Sequence, residues 1–255
     1  MTDQELVKTA HYLADESRKI VNKYFRNNSS IDVQIKENTS LVTAADEQIE
    51  RMVRDVITSK YKDHGILGEE EENTKLDADY VWVVDPIDGT NSFILGRPLF
   101  ATLIGLFHKG KAVFGLIDQA VTGERWFAFK DQQTTFNGTP VTTSNIKNLS
   151  ESKILLSSPE LFVKENVQLE ELYKKSKLLA WETEAYGYGL LSMGCIDAVI
   201  KPGLDPYDYL PVVKIIENAG GIIRGRHNKE LTLDYVGDVV AASTAELFSE
   251  ISEIY

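Results

Sequence analysis

The segment Tyr80-Val81-Trp82-Val83-Val84-Asp85-Pro86-Ile87-Asp88-Gly89-Thr90 joins an apolar run to two carboxylates, a proline and a glycine. The apolar part reads as a buried strand, so both carboxylates emerge at its end, where a rigid scaffold can hold them over a cleft. Pro86 restricts φ at that point, and Gly89 lets a ligand approach the backbone closely. Two carboxylates held this near each other repel unless a proton or a cation lies between them. Asp oxygens together with a backbone carbonyl such as that of Ile87 suit a hard divalent ion, Mg²⁺ above all. Asp-Pro-x-Asp-Gly is also ordinary turn chemistry. The remaining acidic positions have to decide between the two.

Three further segments supply such positions. Gly68-Glu69-Glu70 follows the short apolar run Gly65-Ile66-Leu67 and places Glu69 at a second strand end, while Glu71 and Glu72 read as a solvated face. Leu41-Val42-Thr43-Ala44-Ala45-Asp46 leads into a helix, with Lys36 in the polar stretch before it. Pro206-Tyr207-Asp208 puts Asp208 in the first turn of another helix, where the dipole favours a carboxylate and a simple cap would use one as well.

The elements that must position these groups follow from periodicity. Leu6, Ala10, Leu13, Ser17, Ile20, Val21 and Tyr24 form one apolar stripe, predicting a helix over 3–24 with Thr2 and Glu5 as its capping box. Ile49, Met52, Val53, Val56, Ile57 and Tyr61 predict a second over 45–61. Between them lie an alternating stretch at 31–35 and a polar loop at 36–40. Strands are expected over 80–84, 99–107, 111–117 and 125–129, punctuated by Lys109-Gly110 and Asn137-Gly138 turns, as consecutive antiparallel neighbours. Beyond residue 145 strands and helices alternate. Strands are expected at 153–157 and 197–200 and near Ile222 and Val239, and helices at 160–175, 185–195, 207–218 and 245–254. The shift marks a boundary between an N-terminal α+β domain, 1–145, carrying most of the acidic groups, and a C-terminal α/β domain, 146–255, supplying Asp208.

Composition narrows the function. A chain of 255 residues, 43% apolar, can bury a large core. The formal charge of −12, from 39 acidic against 27 basic residues and without a Lys/Arg block, argues against nucleic acid and anionic membranes as partners. No apolar run approaches the ~18–20 residues of a spanning helix, and the N-terminal residues lack a signal-peptide pattern; a soluble, cytoplasmic protein is expected. Cys195 is the lone cysteine, read as a small buried apolar residue, and excludes internal disulfides and multi-thiolate zinc. There is no Gly-x-Ser-x-Gly elbow, and His11, His64, His108 and His227 read as structural or surface residues. No phosphate-binding or dinucleotide glycine loop occurs, Gly187-Tyr188-Gly189 being too short.

The motifs around Asp46, Glu69 and Asp85–Asp88, with Asp208 followed by Glu217-Asn218-Ala219-Gly220-Gly221, resemble in type and order those of the inositol monophosphatase superfamily of metal-dependent, lithium-sensitive phosphatases. The likeness spans essentially the whole chain. Asp79-Tyr80-Val81-Trp82, Asn91-Ser92-Phe93, Gly96-Arg97-Pro98, Ile117-Asp118-Gln119, Gly123-Glu124-Arg125-Trp126 and Tyr188-Gly189-Leu190-Leu191 bring it nearest to the bacterial histidinol-phosphatase branch. The resemblance implies an αβαβα layered sandwich of α+β class, with an antiparallel N-terminal sheet and a mixed C-terminal part, and commonly a homodimer. It implies two or three Mg²⁺ held by Glu69, Asp85, the Ile87 carbonyl, Asp88 and Asp208. Asp46 and Thr90 would orient and deprotonate a water, with Glu69 assisting, and Gly89, Thr90 and Asn91 would face the substrate. Relatives generally carry a glutamate seven residues before the last of these aspartates, against the organic part of the substrate; here Lys201 stands there, and the expectation is either that Glu184 or Asp205 supplies the missing negative charge or that the substrate carries an extra anionic group. The implied substrate is a small phosphorylated metabolite, histidinol phosphate first and inositol phosphate second, with sugar phosphates, 3′-phosphonucleotides and a purely regulatory binding role as alternatives. A haloacid-dehalogenase reading fails on spacing, since Asp85 and Asp88 are three apart and that class places its pair two apart.

Overall fold

The computed structural model describes residues 2–27, 33–35, 41–164, 169–181 and 184–255. Lys36 and the polar loop at 36–40 lie outside the described residues.

Helix α1 (Asp3–Tyr24) starts at the expected capping box: the Glu5 N–H donates to the Thr2 hydroxyl and the Thr2 N–H to Glu5. Strands β1 (Val33–Ile35) and β2 (Leu41–Thr43) pair antiparallel and lead into α2 (Ala44–Lys60). Then come β3 (Gly65–Gly68), β4 (Tyr80–Asp88), the single turn α3 (Thr90–Ile94), β5 (Ala101–His108), β6 (Lys111–Gln119), β7 (Glu124–Phe129), β8 (Thr135–Phe136) and β9 (Thr139–Pro140). Among the described residues β3 to β9 form one sheet in chain order, antiparallel from β4 onward, with β3 added parallel to β4 at the edge. Parallel pairing is possible because the 69–79 connection runs back beside β3, with Thr74 bridged antiparallel to Ile66, before β4 begins.

The second half contains β10 (Lys153–Leu156), α4 (Pro159–Lys164), α5 (Glu170–Lys175), β11 (Leu178–Trp181), α6 (Tyr186–Ser192), β12 (Ala198–Leu204), α7 (Pro206–Asn218), β13 (Ile222–Gly225), β14 (Gly237–Ala242) and α8 (Ala245–Ser252). Its sheet has the order β11-β10-β12-β14-β13, parallel around β10 and antiparallel around β14. The helix expected over 160–175 is two helices, with 165–168 outside the described residues, and β11 is an added strand.

Strand alternation stacks these elements. Trp82 and Val84 of β4 face α1 and α2, in a cluster with Leu13, Ile49, Val53 and Ile104. Val81 and Val83 point the other way, toward Tyr188 and Leu191 of α6 and Tyr209 and Val212 of α7, which also cover Val199, Ile223 and Val239 of the second sheet. The opposite face of that sheet, Ile154, Leu156, Ile200 and Val240, packs on Phe162, Leu172, Leu247 and Ile251. The period of two thus yields helix, sheet, helix, sheet, helix.

One contact sets where α7 lies. Gly105 and Gly115 are direct cross-strand partners, and a Cβ on Gly115 would fall 2.0 Å from the Pro211 carbonyl oxygen. The glycine pair opens a trough in the first sheet that admits the α7 backbone.

Candidate functional site

Strand β4 does not stop at Val84 but runs on through Asp-Pro-Ile-Asp, with a register shift against β5 between Asp85 and Asp88. The irregularity sits at Pro86, which has no N–H for the ladder. The Thr102 hydroxyl donates to the Pro86 carbonyl at 2.8 Å. Asp85 and Asp88 are both buried.

Asp208 arrives from the first turn of α7. It accepts the Asp205 N–H at 2.8 Å, so it closes the cap of its own helix with Oδ2. Ligand atoms of Asp85, Asp88 and Asp208 all lie within 4.8 Å of one another. Burial pushes Asp85 and Asp208 well above the usual carboxylate range, and the charges of Glu69 and Asp88 push in the same direction, against the Asp205 N–H and Lys201 at Asp208. Such a group cannot be fully ionised without a countercharge. Asp85 Oδ1 is buried with no hydrogen-bond partner. An orphaned buried acceptor among all-oxygen donors fits a hard divalent cation.

Glu69, half-buried just after β3, is felt electrostatically by Asp46, Asp85 and Asp208. The turn that carries it is held from α2. The Glu50 carboxylate, fully buried, accepts the N–H groups of Glu70 and Glu71 at 2.8 and 3.0 Å, and Arg54 donates to the carbonyls of Glu71 and Glu72. Sequence reading missed this clamp. Its signal was a Glu/Arg pair at i,i+4 beside the apolar stripe, indistinguishable from a solvated helical pair.

Asp46 caps α2 as Glu5 caps α1: the Thr43 N–H and hydroxyl donate to its Oδ2 at 2.9 and 2.5 Å. Its Oδ1 is buried without a partner. Burial, against the Thr43 hydrogen bonds and with help from Glu69, pushes it up to about 7. The Thr90 hydroxyl donates to the Ile87 carbonyl at 3.2 Å. Asp46 and Thr90 thus have separate partners, and no hydrogen bond joins them among the described residues. Gly89 caps α3 at φ 95°, a conformation that favours glycine.

Of the expected substrate contacts, Asn91 and Glu184 line one cavity of about 400 Å³ beside the cluster, with Arg97, Ser157 and Ser158. Asp205 accepts from the Tyr207 hydroxyl at 3.1 Å at the head of α7. Lys201, 2% exposed, points into the acidic site, its Nζ 3.8 Å from Asp88 Oδ1 and 3.7 Å from Glu184 Oε2. Burial pushes its pKa down, but Asp88 and Glu184 outweigh that, and it stays above the ordinary lysine value. Tyr188 beneath it is fully buried with an unpartnered hydroxyl. Cys195 is exposed, against expectation, because it sits in the turn that ends α6, after Gly194 in a left-handed conformation. His64 is structural: its Nδ1 accepts from Trp82 Nε1 at 2.9 Å. A larger cavity, about 680 Å³, lies elsewhere, between the β5–β6 hairpin and α7, and shares no residue with the cluster.

Residues 2–254 match the sequence model of the Inositol monophosphatase family. The chain belongs to the inositol monophosphatase family. Members of this family are phosphatases, hydrolases of phosphoric monoesters, and this chain is one of them. It is 38% identical over 264 residues to "Bifunctional phosphatase IMPL2, chloroplastic" of Arabidopsis thaliana, covering 100% of this chain and 75% of that protein. It is 30% identical over 235 residues to "Histidinol-phosphatase" of Chlorobaculum parvum, covering 91% and 90%. A solved inositol monophosphatase from Zymomonas mobilis superposes with a TM-score of 0.88 at 35% identity, covering 100% of this chain and 98% of that one. The layered α+β sandwich is therefore that of the inositol monophosphatases. No described helix is long and apolar enough to cross a membrane.

Proposed function

We propose that this chain is a Mg²⁺-dependent phosphatase of a small phosphorylated metabolite, histidinol phosphate first and inositol 1-phosphate second. The observation that carries the metal-dependent reading is the convergence of Asp85 and Asp88 from β4 with Asp208 from α7, with a buried oxygen left unsatisfied. The substrate ranking is supported by the motifs shared with histidinol phosphatases and by the identity to that enzyme of C. parvum.

Glu69, Asp85, the Ile87 carbonyl, Asp88 and Asp208 would hold two or three Mg²⁺. When bound, Mg²⁺ supplies the positive charge that lets an acidic site accept an anionic phosphate, and Lewis acidity toward its oxygens. Asp46 would take the proton of the attacking water at Oδ1, the oxygen its cap leaves unused. Thr90 would orient that water, Glu69 would assist, and the Gly89 and Thr90 N–H groups would donate to phosphate oxygens. The water oxygen bonds to phosphorus as the ester P–O bond breaks in line. The bond's electron pair leaves with the alcohol oxygen, which is then protonated, and inorganic phosphate is the other product. Asn91 and Glu184, on the adjoining cavity, with Lys201 beside Glu184 and Asp205 at the head of α7, would meet the organic part.

Phosphate release against a panel including sugar bisphosphates and 3′-phosphonucleotides tests the ranking: histidinol phosphate should show the highest kcat/KM, and another winner would overturn it. Asp88→Ala, or removal of metal by EDTA, should lower kcat for every substrate at least about 100-fold. Inhibition by lithium, a homodimer on light scattering and a cytoplasmic location complete the proposal.

A further inference from the structure

Lys201 sits where a positive charge is out of keeping with a cation site. It projects from β12 in the middle of the second sheet, is buried, and reaches the edge of the Asp85–Asp88–Asp208 cluster. A buried ammonium must be paired. Its partners are Asp88, a member of the cluster, and Glu184, with the Tyr188 ring 5.7 Å away. At 3.8 Å the contact with Asp88 Oδ1 is an ion pair rather than a hydrogen bond, so that oxygen keeps its lone pairs for another ligand. The other oxygen of Asp88 is fixed by the Ala185 N–H, so the carboxylate cannot swing away from Lys201. The ammonium is thus a stationary unit charge beside the cluster that would hold a divalent ion.

We propose that Lys201 is a built-in cation of this site, neutralising Asp88 and Glu184 while the site is empty of metal and lowering the affinity of the Asp85–Asp88–Asp208 cluster for a divalent ion. This rests on reading the cluster as a metal site. The charge cannot leave when metal arrives, because the lysine stem is enclosed by the sheet. Each ion bound there is therefore held against a like charge a few ångströms off. Metal occupancy would be weak and concentration-dependent, and the metal-free protein would hold its acidic residues together without one.

The test is direct binding of Mn²⁺ to the intact chain without substrate, read from the electron paramagnetic resonance of free Mn²⁺, for wild type, Lys201→Met and Lys201→Arg. Lys201→Met should bind its weakest ion at least about tenfold more tightly, Lys201→Arg should stay near wild type, and the metal-free Tm of Lys201→Met should fall and recover on adding metal. Should Lys201→Met not fold without metal, Lys201→Gln refolded in graded Mn²⁺ should reach half-recovery at a lower concentration than wild type does half-occupancy. Equal affinity in wild type and the neutral variants would overturn the role of Lys201 alone. Absence of Mn²⁺ binding in all of them at millimolar metal would overturn the metal-site reading with it.

Discussion

At the residue scale, the site depends on carboxylates that do two jobs with two oxygens. Asp46 spends Oδ2 on the Thr43 cap and leaves Oδ1 buried and unsatisfied; Asp208 likewise spends Oδ2 on the Asp205 N–H. In each case the helix cap holds one oxygen and so orients the other, which we propose to be the functional one. Asp46→Asn keeps the shape and a cap acceptor but loses the base that we propose, so kcat should fall by about 10²–10⁴-fold with Tm unchanged or higher. On the proposed mechanism the Asp46 carboxylate is the active form, so kcat/KM should drop as pH falls through its pKa. That value is about 7 before any cation acts on it, and a bound divalent ion moves it lower. A rising limb that persists unchanged in Asp46→Asn would refute the assignment. These acidic residues were legible in the sequence because each stands at a strand end or helix start. Cys195 was not, since one apolar residue carries no information about which side of a turn it faces.

At the element scale, α2 and α7 are the struts. α2 presents Asp46 at its first turn and, further along, the Glu50–Arg54 pair that shapes the Glu69 turn. α7 brings Asp208 to β4 only because its backbone can sink onto Gly105 and Gly115. Gly115→Ala should therefore cost about 1–3 kcal/mol by overpacking against the Pro211 carbonyl. It should also weaken divalent binding, through displacement of Asp208; calorimetric Tm and Mn²⁺ titration read the two effects. Normal binding in a destabilised variant would show that α7 does not set the position of Asp208. The helices and most strands were readable from period 3.6 and period 2. The parallel pairing of β3 and the passage of β4 through Pro86 were not, because pairing direction and bulges depend on neighbours remote in sequence.

At the scale of the whole molecule, we propose that the division near residue 145 separates two sheets rather than two independently stable units, because one apolar cluster unites Val83 and Trp126 with Val199 and Val239 through α6 and α7. A single calorimetric transition is expected. Without metal its midpoint should be highest in mild acid. Asp46 has a folded pKa above its unfolded one, so the stability it contributes is present below about pH 4 and is lost as pH rises through about 7; Asp85 and Asp208 are raised as well and act in the same direction. Saturating Mg²⁺ should flatten this slope; a metal-free protein that gains stability from pH 5 to 8 would refute it. What the sequence by itself determined is local: strand-end carboxylates, capped helices, an acidic surface and the family pattern they compose. The meeting of Asp208 with Asp85 and Asp88 was expected from the family pattern alone; only the tertiary structure decided that Glu50 holds the Glu69 turn and that Lys201 turns inward to Asp88 and Glu184. Those outcomes depend on packing between residues tens of positions apart, where close contact and burial, not periodicity, choose the partner.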